Sequence, residues 1–363
     1  MWRIQYATWA IRQVSSTAGP ACIARQDAGR DISNAPGKGG DYTFPMDTSS
    51  PPTSAAKIAV FREHLLGWFV ANRRDLPWRQ TRDPYRILVS EVMLQQTQVD
   101  RVIPYYHAWL DAFPTVHELA NAPIADVIRL WKGLGYNRRA VNLQRTAQAV
   151  VEMGGEFPRD VDALLKLPGI GPYTAGAIAC FAFELDVPFI DTNMRRVLHR
   201  VLVGVDVPKP KLTDRQVTSL AAEMIPPGNG WNWNQALIEF GALQCTSRKP
   251  LCVVCPLQVE CIARPAIHSA IAESSRTPNA KFEVFRESNR YFRGRVVDAL
   301  REQDAIRFQD LGGMVKPGFS EGDGMWLLEV VQGLERDGLA RIAESPPEYD
   351  TQSLMDVTVT LPK

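Results

Sequence analysis

Six cysteines are spread over the 363 residues, and four of them fall within "CTSRKPLCVVCPLQVEC", at Cys245, Cys252, Cys255 and Cys261. The spacing is Cys-x6-Cys-x2-Cys-x5-Cys. Four thiols in one short stretch can pair as disulfides, hold a zinc ion, or wrap a single [4Fe–4S] cubane. Disulfide frameworks belong to secreted chains denser in cysteine than this one. Zinc sites favour two separated Cys-x2-Cys knuckles or a His pair; here there is one knuckle and no His pair nearby. A cubane takes all four ligands from one wrapped loop. Two carboxyl groups form a second candidate pair. Glu91, in "SEVMLQQTQ", lies beside the apolar Leu88, Val92 and Met93, and burial there would raise its pKa until it holds a proton. Asp191, in "FIDTNMRR", heads a helix, which favours its ionised form. Taken singly, such a glutamate is ordinarily a surface residue and such an aspartate a helix cap.

"LPGIGPYTAGAIA" (167–179) joins a short helix to a longer one that is small and apolar almost all round, and therefore buried. Gly169 and Gly171 allow positive φ and close backbone approach. Pro172 suits the first helical turn, where its missing N–H costs nothing. The next N–H groups, up to Thr174, face outward at a positive helix end and form an anion site. A helix precedes these glycines, which disfavours a dinucleotide-binding loop. On its own the pattern is equally a tight helix–helix turn.

With the hairpin, the carboxylate after it and the four cysteines in one order, the chain resembles the helix-hairpin-helix DNA glycosylases of the endonuclease III superfamily. Residues 76–106, "LPWRQTRDPYRILVSEVMLQQTQVDRVIPYY", are very similar to the adenine DNA glycosylases of the MutY family. The resemblance covers residues 57–262. It implies a mainly α helix-hairpin-helix glycosylase fold and a [4Fe–4S] cluster on Cys245, Cys252, Cys255 and Cys261. It implies that Gly169, Gly171 and Thr174 hold a DNA phosphate. Glu91 is implied as the acid that protonates adenine N7, and Asp191 as the anion that stabilises or traps the sugar cation, with Asn193 in support. Tyr173 occupies the place where strand-cutting relatives carry a lysine nucleophile, and no lysine occurs from 167 to 180. That implies a monofunctional enzyme. Trp78, Arg79 and Gln235 match the adenine pocket; Gln96, Thr97 and Tyr136 match the residues that wedge into the base stack. Double-stranded DNA with adenine mispaired with guanine or oxidised guanine is the implied partner of a monomeric, bacterial cytoplasmic enzyme.

Three other readings stand beside this one: a thymine or uracil glycosylase for G:T or G:U pairs, a non-catalytic Fe–S DNA-binding protein, and a zinc protein. Two departures from the family pattern bear on the choice. "GLGYNRRAVNL" (133–143) has Asn137 and Arg138 where Tyr and Ser are usual, and Arg138 and Arg139 are expected to add phosphate contacts. Residues 289–363 do not resemble the Nudix-like domain with which many members read oxidised guanine.

The elements that must position these residues are helical. Ile58, Phe61, Leu65, Trp68 and Phe69 share one helical face. Leu88, Val92 and Val99 mark a second helix, 124–131 a third, and Leu143, Ala147 and Val150 a fourth stopped by Gly154-Gly155. Asp160 is placed to cap a short helix ending near Lys166. These give a glycosylase domain at 56–265, with a six-helix module at about 83–190 and a cluster module at 56–82 and 191–265. A polar linker is expected at 266–288. Beyond it, "YFRGRVVDALREQ" and "MWLLEVVQGLERDGLARI" read as helices and "YDTQSLMDVTVTLP" as a strand, a small winged-helix-like α+β module at 289–363. Residues 1–55 read as a disordered or mis-annotated extension containing the lone Cys22, with Met46 as the alternative start. Cys180, also alone, reads as a small core residue. No apolar run reaches eighteen residues, so no membrane contact is expected. With net charge +1, any nucleic-acid binding must rest on local patches.

Overall fold

The computed structural model describes residues 54–276, 285–343 and 354–363. The readings placed on the N-terminal extension, Cys22 and Met46 lie outside them. The described residues begin with α1 (Ala55–Asn72), capped by Ser54, and α2 (Pro84–Leu94), capped by Asp83 with Pro84 at its first position. There follow α3 (Val99–Ala112), α4 (Val116–Asn121), α5 (Ile124–Leu130) and α6 (Arg138–Glu152). The hairpin is α7 (Val161–Leu164) and α8 (Pro172–Phe183). Then come α9 (Thr192–Leu202), α10 (Asp214–Met224), α11 (Gly230–Leu243) and α12 (Ile267–Arg276). The C-terminal part runs α13 (Asn289–Glu302), β1 (Ala305–Arg307), α14 (Phe308–Val315), α15 (Gly324–Arg336), β2 (Arg341–Ile342) and β3 (Thr358–Thr360). Its sheet is antiparallel in the order β1-β3-β2, with Ile306 and Ile342 both opposite Val359. Among the described residues no helix is long and apolar enough to cross a membrane.

Apolar periodicity located the buried faces of α1 and α6. One large core, from Phe61 to Leu257, gathers residues from α1 through the cysteine loop, and α8 lies inside it with Ala175 to Phe181 buried. A second core joins Val296, Leu300, Leu311, Leu327, Val331 and Val359 to Ile128 of α5 and Val141 of α6. The C-terminal elements are therefore packed on the α5–α6 corner. Arg301 fixes this seam, donating to the Ile128 carbonyl at 2.9 Å and to Asn137 Oδ1 at 2.9 Å.

Three expectations need correction. Leu88, Val92 and Val99 do not share one helix: α2 ends at Leu94, and Gln96 in the turn adopts φ 58° before α3 begins. The expected linker is partly ordered, since 267–276 forms α12 with Ile267 buried. "MWLLEVVQGLERDGLARI" is not one helix, because α15 stops at Arg336 and the following Arg341–Ile342 pairs in the sheet.

Arg139 is the fourth correction. It is only 9% exposed, so it makes no phosphate contact. Its guanidinium donates to the carbonyls of Val92, Met93 and Gln95 at 2.7, 3.1 and 2.8 Å, and to those of Leu134 and Gly135 at 3.0 and 3.1 Å. It thereby satisfies the orphan carbonyls at the end of α2 and ties that turn to the turn before α6. Burial lowers its pKa to about 10, which leaves it charged at neutral pH. Removing a buried cation with this many acceptors strands several carbonyls at about 1–3 kcal/mol each. Arg139→Ala is therefore expected to lose at least about 3 kcal/mol in urea unfolding, whereas Arg138→Ala, on an exposed side chain, should change stability by under about 1 kcal/mol.

Candidate active site

The site is built where α2, α8 and α9 meet. Glu91 is on the buried face of α2 and is 5% exposed. Tyr173, at the second position of α8, donates its hydroxyl to Glu91 Oε2 at 2.8 Å. The Tyr173 ring packs edge-on against Phe189, 5.5 Å between centroids, which sets the reach of the hydroxyl. Burial pushes the Glu91 pKa up; the Tyr173 hydrogen bond opposes this, the charge of Asp191 adds to it and Arg79 opposes it, leaving the group at about 7. Relative to an ordinary glutamate that difference is about 3 kcal/mol in favour of the protonated form.

Asp191 caps α9. Its Oδ1 accepts the Met194 N–H at 2.6 Å and its Oδ2 accepts from Asn193 Nδ2 at 2.9 Å. Burial raises its pKa, and these hydrogen bonds, with Arg196, pull the other way. The two carboxyls lie close enough for the charge of Asp191 to act on both Glu91 and Tyr173. The pair a hundred residues apart in sequence thus shares one environment.

Asn193 is itself held. Its Oδ1 accepts from Arg196 at 2.7 Å, and Arg196 also donates to the carbonyls of Gly241 and Cys245, each at 2.7 Å. A Cβ at Gly241 would lie 2.7 Å from the Asn193 Cβ, so only glycine lets α11 approach α9 this closely. One turn on, Arg200 donates to the Thr246 and Ser247 carbonyls at 2.8 and 3.1 Å and lies 3.7 Å from Cys245 Sγ. The thiols of Cys245, Cys252, Cys255 and Cys261 lie near enough to act on one another electrostatically. Among the described residues no three Cys, His, Asp or Glu gather tightly enough for a single metal ion.

Of the expected pocket residues, Arg79 and Gln235 meet directly, Nε donating to Oε1 at 2.8 Å. Arg79 also donates to Glu239 at 2.9 Å, and Arg74 grips the same carboxylate with two side-chain bonds at 2.8 Å. Burial alone would raise the Glu239 pKa, but these arginines hold it at about 2. Trp78 is 7% exposed and packs edge-on against Tyr106 in the main core. Gln96 and Tyr136 are exposed and both have left-handed backbone, at φ 58° and 46°, in the two turns that Arg139 ties together. Thr97 sits between them, its Oγ1 accepting from Arg139 at 3.4 Å. In the hairpin only Gly169 has positive φ (81°); Gly171 is extended and serves as the α8 cap, contrary to the expectation for both. The Thr174 side chain is buried in α8, leaving its backbone as the part that belongs to the first helical turn.

Glu239, Arg74, Arg196 and Arg200 were not anticipated. Spacing carried a signal for them: Gln235 and Glu239, and Arg196 and Arg200, are each four apart on a helix and so share a face.

Comparison with known proteins places this arrangement in a family. The HhH-GPD superfamily of base excision DNA repair proteins matches residues 89–223. Adenine DNA glycosylase of Mycolicibacterium smegmatis is 43% identical over 248 residues, covering 68% of this chain and 82% of that protein. That of Homo sapiens is 44% identical over 223 residues, covering 58% of this chain and 41% of that protein. The chain thus spans about two fifths of the length of the mammalian relatives it matches. A thermostable thymine-DNA glycosylase of known structure is 32% identical, with TM-score 0.54 over 58% of this chain and 97% of that one. Endonuclease III in a non-covalent complex with DNA shares the fold, at 24% identity and TM-score 0.50 over 58% of this chain and 96% of that one. The chain belongs to the adenine DNA glycosylase family, within the HhH-GPD superfamily.

Proposed function

We propose that this protein hydrolyses the N-glycosidic bond of adenine mispaired with guanine or oxidised guanine in duplex DNA, without cutting the strand. The observation that carries the reading is the buried Glu91, hydrogen-bonded by Tyr173 and set beside Asp191. Tyr173 occupies Oε2, so the proton resides on the other carboxyl oxygen. Transfer of that proton to adenine N7 lets the glycosidic bond break with its electron pair on the base. Asp191 faces the oxocarbenium charge that appears on the sugar, and water adds its oxygen to that carbon and returns a proton to Glu91. Tyr173 carries no amine to attack the sugar, which supports a monofunctional reaction. Arg79, Gln235 and Trp78 are read as the support of the adenine site. Gln96, Thr97 and Tyr136 are read as the wedge that fills the stack when the base leaves it, and the hairpin N-terminus around Gly169, Gly171 and Thr174 as a phosphate site.

We further propose that Cys245, Cys252, Cys255 and Cys261 hold a [4Fe–4S] cluster, which supplies a covalent cross-link for a loop that Arg196 and Arg200 also hold. The four neighbouring thiols and the guanidinium beside Cys245 fit such an anionic group. Residues 56–265 are read as the glycosylase domain. Residues 289–363, in the order helix–strand–helix–helix–strand–strand, are read as a winged-helix-like module. A second reading, excision of thymine from mismatches, is favoured by the likeness to the thymine-DNA glycosylase structure and enters the test as a competitor.

Single-turnover assays on A:G, A:oxidised-G, T:G and U:G duplexes are expected to release adenine alone, with intact strands. Glu91→Gln and Asp191→Asn should each slow release by about 10²–10⁴-fold; thymine release, or full rates in both variants, would reject the assignment. The rate should fall as pH rises through about 7, where Glu91 loses its proton. Stability follows the same group. Between about 4.5 and 7 the folded chain keeps a proton that the unfolded chain has released, so burial of Glu91 costs stability as pH rises. Glu91→Gln, which does not titrate, should therefore gain melting temperature over the parent at pH 8 and not at pH 4.5. For the cluster, purified protein should be brown and contain iron and acid-labile sulfide in equal amounts; a colourless protein containing zinc would refute it.

A further inference from the structure

Between the turn that opens α6 and the first half of α13 lies a cleft of about 720 Å³. Five arginines and two aspartates line it. One of the five, Arg139, is the buried fastener described above. Arg138 and Arg293 face each other across the cleft and share the carboxylate of Asp337, one oxygen each. One negative charge thus aligns two guanidiniums and leaves a positive excess. Arg290 is exposed, and its guanidinium lies 4.1 Å above the Tyr136 ring. Asp298, the other acid, pairs with Arg301 on its own helix. The lining therefore combines aromatic rings, Tyr136, Phe285 and Tyr291, with cationic side chains.

Charge is unevenly placed over the C-terminal elements. From 289 to 297, α13 carries Arg290, Arg293 and Arg295 and no acid. The helix α15 carries Glu329 and Glu335, with Arg336 its only basic residue. The short helix before it is acidic, with Glu321 and Asp323. A polyanion meeting this module is attracted to α13 and repelled from the start of α15. The attractive face adjoins Tyr136, whose left-handed backbone holds an exposed ring at the rim.

We propose that this cleft is a DNA-backbone site, in which Arg290 and Arg293 of the C-terminal elements act with Arg138 on phosphates of the duplex that Tyr136 faces. The proposal rests on the glycosylase reading above and adds a second, non-catalytic contact to it. Planar guanidiniums suit phosphate because they bind two oxygens at once. Arg290 on the Tyr136 ring places one such group where a backbone passing the wedge must run. The C-terminal elements then hold the duplex while the base is extruded, a role that requires no reading of base edges.

The test measures binding and chemistry separately. Anisotropy titrations would use a duplex bearing a non-hydrolysable adenine nucleotide opposite guanine, at several salt concentrations. Arg290→Ala, Arg293→Ala and Arg138→Ala should each weaken binding several-fold and reduce the slope of log K against log salt by about 1. Arg290→Lys should retain the slope. Arg307→Ala, an exposed arginine on β1 paired with Asp310, should match the parent. Single-turnover rates at saturating protein should remain within about twofold for Arg307→Ala. Parent-like slopes in Arg290→Ala and Arg293→Ala would overturn the proposal. So would parent-like affinity with a slowed rate, which would make Arg290 a support for Tyr136 only. Loss of binding to an acidic peptide but not to DNA would assign the cleft to a protein partner and likewise overturn it. If the parent binds with the expected slopes but releases no base, the cleft stands and the glycosylase reading falls.

Discussion

A buried glutamate set beside an aspartate whose charge acts on it is the constraint around which this structure is arranged. Solvent would equalise Glu91 and Asp191 at ordinary carboxylate values. Here α2 carries Glu91 into the interior, where burial raises its pKa; burial raises Asp191 as well, but α9 gives it a helix terminus and two hydrogen bonds that limit the rise. Tyr173 lies between them, donating to one and sensing both charges. None of the three helices can shift by much without equalising the two groups again, because each effect decays over a few ångströms.

Buried and half-buried arginines hold those helices in place. Arg139 locks the end of α2 to the turn of Tyr136, Arg79 and Arg74 lock the segment before α2 to Glu239 of α11, and Arg196 and Arg200 lock α9 to the cysteine loop. Each guanidinium offers five donors in a rigid plane and is spent on carbonyls or carboxylates that would otherwise be unpaired. Such contacts add little net stability over an apolar core but tolerate little displacement. They are suited to fixing a geometry to fractions of an ångström. The path from Asp191 through Asn193 and Arg196 to the Cys245 carbonyl runs along α9 in two side-chain steps. The loop that carries the thiols and the carboxylate at the head of α9 are thus parts of one rigid assembly.

Much of this was legible in the residues. The apolar face of α1, the Asp160 cap of α7, Pro172 opening α8 and the all-round apolar α8 follow from periodicity and end signals, and they are observed. The α2–α3 break was not legible, because Val99 continues the apolar spacing of Leu88 and Val92 and the interruption depends on Gln96 taking φ 58°. Arg139 reads as a surface cation because composition assigns arginine to solvent; only the convergence of two distant turns supplies its acceptors. Gly241 shows no local signal, since its small size matters only against Asn193 on another helix. In the C-terminal part α13 and α15 were visible, but strands of two or three residues, at 305–307 and 341–342, are shorter than any alternation can reveal.

The most direct measurement is the titration of Glu91 itself, by carbon NMR of protein labelled at glutamate side-chain carboxyls, with Glu91→Gln to identify the resonance. A midpoint near 7 is expected, moving to lower pH in Asp191→Asn because a neighbouring negative charge has been removed. A midpoint near 4.5, unmoved by Asp191→Asn, would mean that the two carboxyls neither share an environment nor divide the roles of acid and anion.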